Sequence, residues 1–392
     1  MSWEARTVME QKEEFILLWQ SRKYTVTNLC KMFSISRPTA YKYINRFSEF
    51  GYPGLLEQSK RPKNIPNKTP VYIEEKIIQL KEKYGWGAKK LRTLLEAEFP
   101  GVKLPQESTV NAILKRNGLT RDRKLRHKTE ARYPIFDPKE PNEVWSADFK
   151  GKFKMGNGKY CYPLTIADSY SRYVFSAKGM LNATRKNSEA EFKRVFKRYG
   201  LPQQIHTDNG QPFAHIRSLG RLSKLSVWFM ELGIEPVFSD PGKPTQNGRH
   251  ERMHRELKAE ATRPAGKNLQ AQQTKLNKFV KRYNDIRPHQ ALNNRTPQAV
   301  HRVSDRKYSD EISEWIYPKE CIVRRVTNNG AVRIGRSNWL FMTSALAGKN
   351  IGFKEIGNRI YEVYFREFFL GYADMKELRI YDIMNYKDEL KQ

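Results

Sequence analysis

The sequence predicts a multidomain α/β protein: two three-helix units, a mixed α/β sheet domain and a small closed β-barrel, in that order. Three observations carry this. Apolar residues recur at helical spacing up to about residue 117, and with strand-like alternation and turn signals from residue 141 onward. Two polar stretches, 51–70 rich in Gly, Pro and Lys and 121–140 rich in Arg and Lys, separate the units. Charge is also partitioned. Residues 1–140 hold 28 basic and 16 acidic side chains, 141–310 hold 31 and 15, and 311–392 hold 13 and 11.

The full chain of 392 residues carries 72 Lys and Arg against 42 Asp and Glu, a net charge of +30. A chain this basic repels itself when compact, so the excess points to a polyanionic partner. Nucleic acid suits it best, and a basic membrane-surface protein is the other class. The content of 39% hydrophobic and 12% aromatic residues excludes a disordered chain. No apolar run approaches the roughly eighteen residues that span a bilayer, and the N-terminal residues lack a signal-peptide pattern. Cys30, Cys161 and Cys321 are odd in number and without CxxC spacing. A disulfide framework and a Cys-based zinc finger are therefore not expected, and a reducing cytoplasm is.

In the first unit, amphipathic helices are predicted over 11–19 and 25–33, then over 37–47 after a Ser34-Ile35-Ser36 turn. Ser36 is a natural N-cap, and Pro38 sits in the first turn where a missing N–H costs little. Ala40, Ile44 and Phe47 face inward, leaving Arg37, Thr39, Lys42, Asn45 and Arg46 outward. This is helix-turn-helix spacing, with the last helix presenting donors to a DNA major groove. The second unit repeats the plan. Ile73, Ile77, Ile78 and Leu80 mark one helix, and Leu91, Leu94 and Leu95 the next. The third covers 107–117, with Val110, Ile113 and Leu114 inward and Ser108, Thr109, Asn111, Lys115 and Arg116 outward. The stretch 121–128, with Arg123 and Lys124, reads as a basic tether along phosphates or as a solvated linker.

From residue 141 the pattern changes to strands over 144–153, 160–167 and 172–179, with turns at Gly156-Asn157-Gly158 and Asp168-Ser169. A helix around Phe192, Val195, Phe196 and Tyr199 follows, then a strand over 203–207, a helix over 219–232, a strand over 234–238, and helices over 245–262 and 269–283. After residue 309 an Asn329-Gly330 turn suggests a hairpin of 322–327 with 331–334. Runs at 339–342, 351–354 and 360–365 complete the predicted barrel. The expected domains are 1–55, 66–120, the linker 121–140, the core 141–305 and the barrel 315–385.

Three carboxylates stand out. Asp148 interrupts an apolar-aromatic strand, Trp145 to Phe149. Asp208 ends the strand Ile205-His206-Thr207 and runs straight into the tight Asn209-Gly210 turn. Glu251 falls in the first turns of a helix. If the first and fourth strands are neighbours, both Asp side chains emerge together and Glu251 approaches from the helix. Hard oxygen ligands of this kind suit Mg²⁺, with Mn²⁺ expected to substitute. A metal pair there could clamp both oxygens of an in-line phosphoryl displacement.

The segment from about Asn142 to Ala299 resembles the catalytic core of DDE transposases and retroviral-type integrases, most of all the insertion-sequence four-eight-one family. The matching stretches are Trp145 to Gly151, Thr207 to Phe213, Gln246 to Lys258, and Tyr283 to Leu292 with Thr296-Pro297. The resemblance implies a ribonuclease-H-like core with Asp148, Asp208 and Glu251 as metal-binding triad, and helix-turn-helix units ahead of it. It places Lys258, and less closely Arg255, at a DNA-end contact. It further implies binding of terminal inverted repeats, cleavage of 3′ ends and joining to target DNA without a nucleotide or organic cofactor. A homo-oligomer, at least a dimer on DNA, and a bacterial, nucleoid-associated location follow from it. The 42 residues between Asp208 and Glu251 exceed the spacing of many integrase-type relatives. An insertion over 214–226 accounts for the excess and leaves that loop's position open.

Two rival readings use the same residues. His250-Glu251-Arg252-Met253-His254 satisfies H-E-x-x-H, a zinc metalloprotease pattern needing a third ligand such as Asp285 or His289. It accounts for neither the tandem helical units nor Asp148 and Asp208. The other rival is a catalytically inactive, domesticated DNA-binding regulator.

Overall fold

The computed structural model describes residues 7–58, 68–120, 136–240, 246, 248–335 and 338–382. The chain divides into two compact units, one ending at Pro70 and one beginning at Val71.

The first unit contains helices α1 (Val8–Gln20), α2 (Val26–Met32) and α3 (Arg37–Phe50). Thr7, Thr25 and Ser36 cap them, each accepting from a backbone N–H three residues on, which satisfies donors a helix start leaves free. Phe15, Ile16, Leu29, Ala40, Ile44 and Leu55 form the core.

The second unit opens with α4 (Val71–Tyr84), α5 (Ala88–Glu98) and α6 (Glu107–Arg116). They close over Ile73, Ile77, Leu91, Leu95, Val110, Ile113 and Leu114, as the periodicity predicts. A mixed sheet follows, made of β1 (Val144–Phe149), β2 (Phe153–Lys154), β3 (Tyr160–Asp168), β4 (Val174–Met180), β5 (Gln204–Thr207) and β6 (Glu235–Phe238). β3 pairs antiparallel with β1 and β4, while β1, β5 and β6 run parallel. The short β2 pairs with the start of β3. The predicted 144–153 strand is thus two, interrupted at Lys150-Gly151-Lys152. Helices α7 (Arg185–Tyr199) and α8 (Lys224–Glu231) cover Trp145, Phe175, Ile205 and Phe213 in an aromatic core. Helices α9 (Gly248–Ala261) and α10 (Leu269–Asp285) pack Met253, Leu257, Leu276 and Phe279 against Ala167, Val174 and Ala177.

The C-terminal strands correct one expectation. β7 (Cys321–Arg325), β10 (Asn350–Gly357), β11 (Ile360–Phe365), β12 (Phe368–Asp374) and β13 (Arg379–Asp382) form an open five-stranded sheet, while β8 (Ala331–Ile334) and β9 (Asn338–Phe341) make a separate two-stranded ribbon. Among the described residues no barrel closes. The Asn329-Gly330 turn exists, but β7 pairs with β10 and β8 with β9. Gly330 (φ +87°) packs onto the backbone of Thr343 and Ser344, and its carbonyl accepts from Met342 N–H at 2.8 Å. That contact turns the chain toward residues 338–342 and away from β7.

The insertion over 214–226 has a definite place. Leu222, Val227 and Met230 enter the C-terminal core beside Val332, Leu346 and Phe353. Gly220 N–H donates to Asp382 at 2.6 Å, and Ser218 and Thr343 share a 2.8 Å hydrogen bond. The extra residues therefore seat the C-terminal sheet on the catalytic domain.

Candidate active site and DNA-facing surfaces

The strand order answers the condition set by the sequence. β1 and β5 lie side by side in parallel, with Ala147 opposite Thr207. The next residue on each strand is Asp148 and Asp208, so both carboxylates leave the sheet at its carboxyl end, where open α/β sheets place their sites. Asp208 also accepts from Gly210 N–H at 3.1 Å, the turn signalled by Asn209-Gly210. Glu251 stands exposed in the first turn of α9.

The histidines of the H-E-x-x-H pattern hold that helix in place. His250 and His254 are buried and meet at Thr165 on β3, with both Nε2 atoms 2.6 Å from its Oγ1. The Thr165 hydroxyl also lies 3.0 Å from the Asp148 carbonyl oxygen, which can only accept. Thr165 must donate there, so both imidazoles donate to Thr165. His250 Nδ1 then accepts from Ser146 Oγ at 2.8 Å. In this arrangement the lone pair of His250 Nδ1 is turned to Ser146. Of the third ligands considered, His289 lies against the Tyr283 ring and Asp285 stands exposed at the end of α10. The protease pattern is instead a clamp fixing Glu251 relative to Asp148.

Burial pushes Asp148 up to about 7, and the negative charges of Asp208 and Glu251 add to the shift, while Lys150 and the Phe149 N–H oppose it. Asp208 is raised too, by loss of water around it, against the Gly210 hydrogen bond. Burial drives His254 down to about 3, so its Nδ1, 3.6 Å from Asp148 Oδ2, faces that carboxylate neutral. Among the described residues, the ligand atoms that lie within 4.8 Å of one another belong to Asp148, His250 and His254. The three carboxylates are thus electrostatically joined but not drawn tight. Like charges gathered at a strand end, inside a chain of net +30, fit a divalent cation. Asp168, a fourth acidic residue nearby, is structural. It accepts from Ser171 N–H, Ser171 Oγ and Asn142 N–H and so ties the β3–β4 turn.

The predicted DNA contacts divide. Lys42 and Asn45 on α3 are exposed. Arg37 is exposed but donates to Thr27 at 2.8 Å. Thr39 and Arg46, expected outward, are half-buried: Thr39 shares a hydrogen bond with the Ser36 cap, and Arg46 packs where the chain turns back through Tyr52–Leu55. On α6, Ser108, Thr109 and Lys115 are exposed, while Arg116 is paired with Glu74 at 3.2 Å. Asn111 lines a cavity between α6 and the catalytic domain. Arg255 and Lys258 are exposed on α9. Arg123 and Lys124 lie outside the described residues.

Sequence reasoning missed Lys90, Arg172, Arg249, Arg252 and Arg287, which line one cavity beside α9 with Arg255. Arg287 belongs to the stretch Tyr283 to Leu292, but its partners are distant in sequence. Arg172 carries a weaker local signal, following the Asp168-Ser169 turn at a left-handed φ of +63°.

Comparisons with known proteins bear on the core and the helical units. Two models described as integrase core domain match residues 138–244 and 232–297. Two described as homeodomain-like domain match residues 7–56 and 39–114. The insertion element IS476 uncharacterized 39.2 kDa protein of Xanthomonas euvesicatoria is 26% identical over 273 residues, spanning 64% of this chain and 73% of that one. The insertion element IS407 uncharacterized 31.7 kDa protein of Burkholderia multivorans is 25% identical over 245 residues, 59% of this chain and 82% of that one. The Gag-Pol polyprotein of feline leukemia virus is 28% identical over 198 residues, which is 11% of its length. Among solved structures, the simian T-cell lymphotropic virus intasome in complex with PP2A regulatory subunit B56 gamma has a TM-score of 0.38 at 15% identity, covering 75% of this chain and 97% of that one. The HTLV-2 integrase catalytic core domain in complex with magnesium scores 0.34 at 18% identity, covering 42% of this chain and all of that one.

The core matches and the site define a polynucleotidyl transferase with an integrase core. Residues 138–297 match integrase core domains, and the chain is similar to insertion-element proteins, which together support a DDE transposase with an integrase-type core. No described helix is long and apolar enough to cross a membrane.

Proposed function

We propose that this transposase, akin to the insertion-sequence four-eight-one family, binds the terminal inverted repeats of its element, cleaves their 3′ ends and joins them to target DNA. The observation that carries the reading is the parallel β1–β5 pairing, which puts Asp148 and Asp208 at adjacent strand ends within electrostatic reach of Glu251. These three residues would hold Mg²⁺, or Mn²⁺ in its place. When bound, the metal supplies Lewis-acid polarisation of the phosphoryl oxygens and a lowered pKa for attacking water.

The chain's own residues position the reaction. Thr165, His250 and His254 fix α9 against β1 and β3, so Glu251 meets the strand-end carboxylates at a set distance. Lys258, two turns along α9 from Glu251, and Arg255, one turn along, contact the DNA end. Water attacks the phosphodiester in line first, and the freed 3′-hydroxyl then attacks the target. Neither step passes through a covalent protein intermediate, and no nucleotide or organic cofactor is required. Exposed Lys42 and Asn45 on α3, and Ser108, Thr109 and Lys115 on α6, contact the repeats. Two ends must meet, so the working form is a homo-oligomer on DNA in the bacterial nucleoid.

The test incubates purified protein with labelled candidate element ends and a target plasmid, with Mg²⁺ or with EDTA. Metal-dependent cleavage, abolished by Asp148→Asn, is expected. Equal behaviour of Asp148→Asn and wild type would favour the inactive regulator.

A further inference from the structure

About a third of a turn around α9 from Glu251, the helix presents a second site of opposite sign. Arg249, Arg252 and Arg255 face a cavity of 740 Å³ whose other walls are Lys90 of α5, Arg172 of the β3–β4 turn and Arg287 beyond α10. Six cations from four places in the fold converge there. Glu256 holds Arg287 through a two-pronged contact at 2.9 Å on each side and, with Glu260, acts on Lys90. Exposed Asp137 reaches Arg249 at 3.6 Å, and Arg172 and Arg249 each donate once to the Ser169 carbonyl, at 2.6 and 3.4 Å. Arg287 is 7% exposed, and its Nε is buried without a hydrogen-bond partner; His289 Nε2 in the same wall also has none. Burial and the neighbouring Arg287 lower Lys90 to about 8, and burial with Arg249 lowers Arg172 to about 10. Cations held this close, with forked donors left over, match phosphate oxygens.

The cavity does not end there. It shares Lys90, Glu256, Arg287 and Gln290 with a neighbouring cavity of 1020 Å³, which runs on to Glu107 and Asn111 of α6. The two form a continuous groove from the last helix of the second helix-turn-helix unit to the helix that carries Glu251. A groove of this length exceeds a single small anion and suits a strand of phosphodiesters.

We propose that the arginine-lined cavity binds the DNA backbone between the second helix-turn-helix unit and α9, so that one chain sets the spacing from the sequence it reads to the bond it cuts. The proposal rests on the DNA-binding part of the proposed function and is independent of its catalytic part.

The test is a lysine footprint of the full chain in EDTA, where no cleavage can occur. Acetylation by a small acylating reagent is read by peptide mass spectrometry with no addition, with inorganic phosphate, and with a saturating duplex of random sequence. Labelling of Lys90 should fall several-fold with duplex alone, while exposed Lys376 stays unchanged. Undiminished labelling of Lys90 under saturating duplex would overturn the proposal. Equal protection by inorganic phosphate would reassign the cavity to small anions and overturn it as well. Because the footprint uses wild-type protein, misfolding of a variant cannot mimic the result. In a second arm, Arg172→Gln and Arg252→Gln should each reduce the slope of log affinity against log salt by about 0.9. Slopes equal to wild type in both would contradict it. If Lys90 is protected and no authentic end is ever cleaved, the catalytic reading fails and this one stands.

Discussion

The two sides of α9 face opposite electrostatic problems. One side joins Glu251 to Asp148 and Asp208, where burial and then the neighbouring negative charge hold Asp148 up near 7. The other gathers Lys90, Arg172, Arg249, Arg252, Arg255 and Arg287 around one cavity, where burial and then Arg287 hold Lys90 down near 8. Each cluster is costly alone, because like charges in a partly dry setting raise one another's energy. In the proposed reading a divalent cation relieves the first and a phosphate backbone the second. Two like-charged clusters of opposite sign thus lie along a single helix.

The sharpest way to break the acidic side is to remove a carboxylate. Asp148→Asn, Asp208→Asn and Glu251→Gln should each lower the rate of end cleavage by roughly a thousandfold or more, measured in single-turnover assays. The clamp comes next. Thr165→Val leaves two buried imidazole donors without an acceptor and should cost about 1–3 kcal/mol of stability, read from urea unfolding of the metal-free protein. A smaller effect follows from Asp148 itself. Its pKa in the fold lies above the ordinary value, so its contribution favours folding at low pH and is lost as pH rises from about 4 through 7. Metal-free Asp148→Asn should therefore melt above wild type at pH 8, with the gap closing by pH 4. A gap independent of pH would mean that the fold does not raise the Asp148 pKa. The smallest change lies away from both clusters. Lys354→Gln and Lys376→Gln, in a C-terminal segment of net +2, should leave the salt dependence of DNA binding unchanged.

The acidic side was legible in the sequence because its signals are local. Asp148 interrupts an apolar strand, Asp208 precedes an Asn-Gly turn, and Glu251 opens a helix. Each can be read within a few residues, and strand adjacency supplies the rest. The helical units were legible for the same reason, down to the Ser36 cap and the inward Val110, Ile113 and Leu114. The basic side was not, since Lys90, Arg172 and Arg287 come together only through packing of distant elements. The histidine clamp was hidden by a motif that fits zinc on a helical wheel, until Thr165 and Ser146 showed where the ring nitrogens go. The barrel failed on a non-local choice: the Asn329-Gly330 turn forms, but Gly330 packs on Thr343 and Ser344, and β8 takes β9 as its partner.

In the proposed function the three carboxylates hold a metal for strand cleavage. The most direct measurement is cleavage of a labelled authentic element end by the purified chain, in Mg²⁺ and in EDTA, beside Asp148→Asn. A nick at the element's 3′ end is expected in Mg²⁺, and none in EDTA or with the variant. Cleavage that persists in EDTA, or in Asp148→Asn, would contradict it.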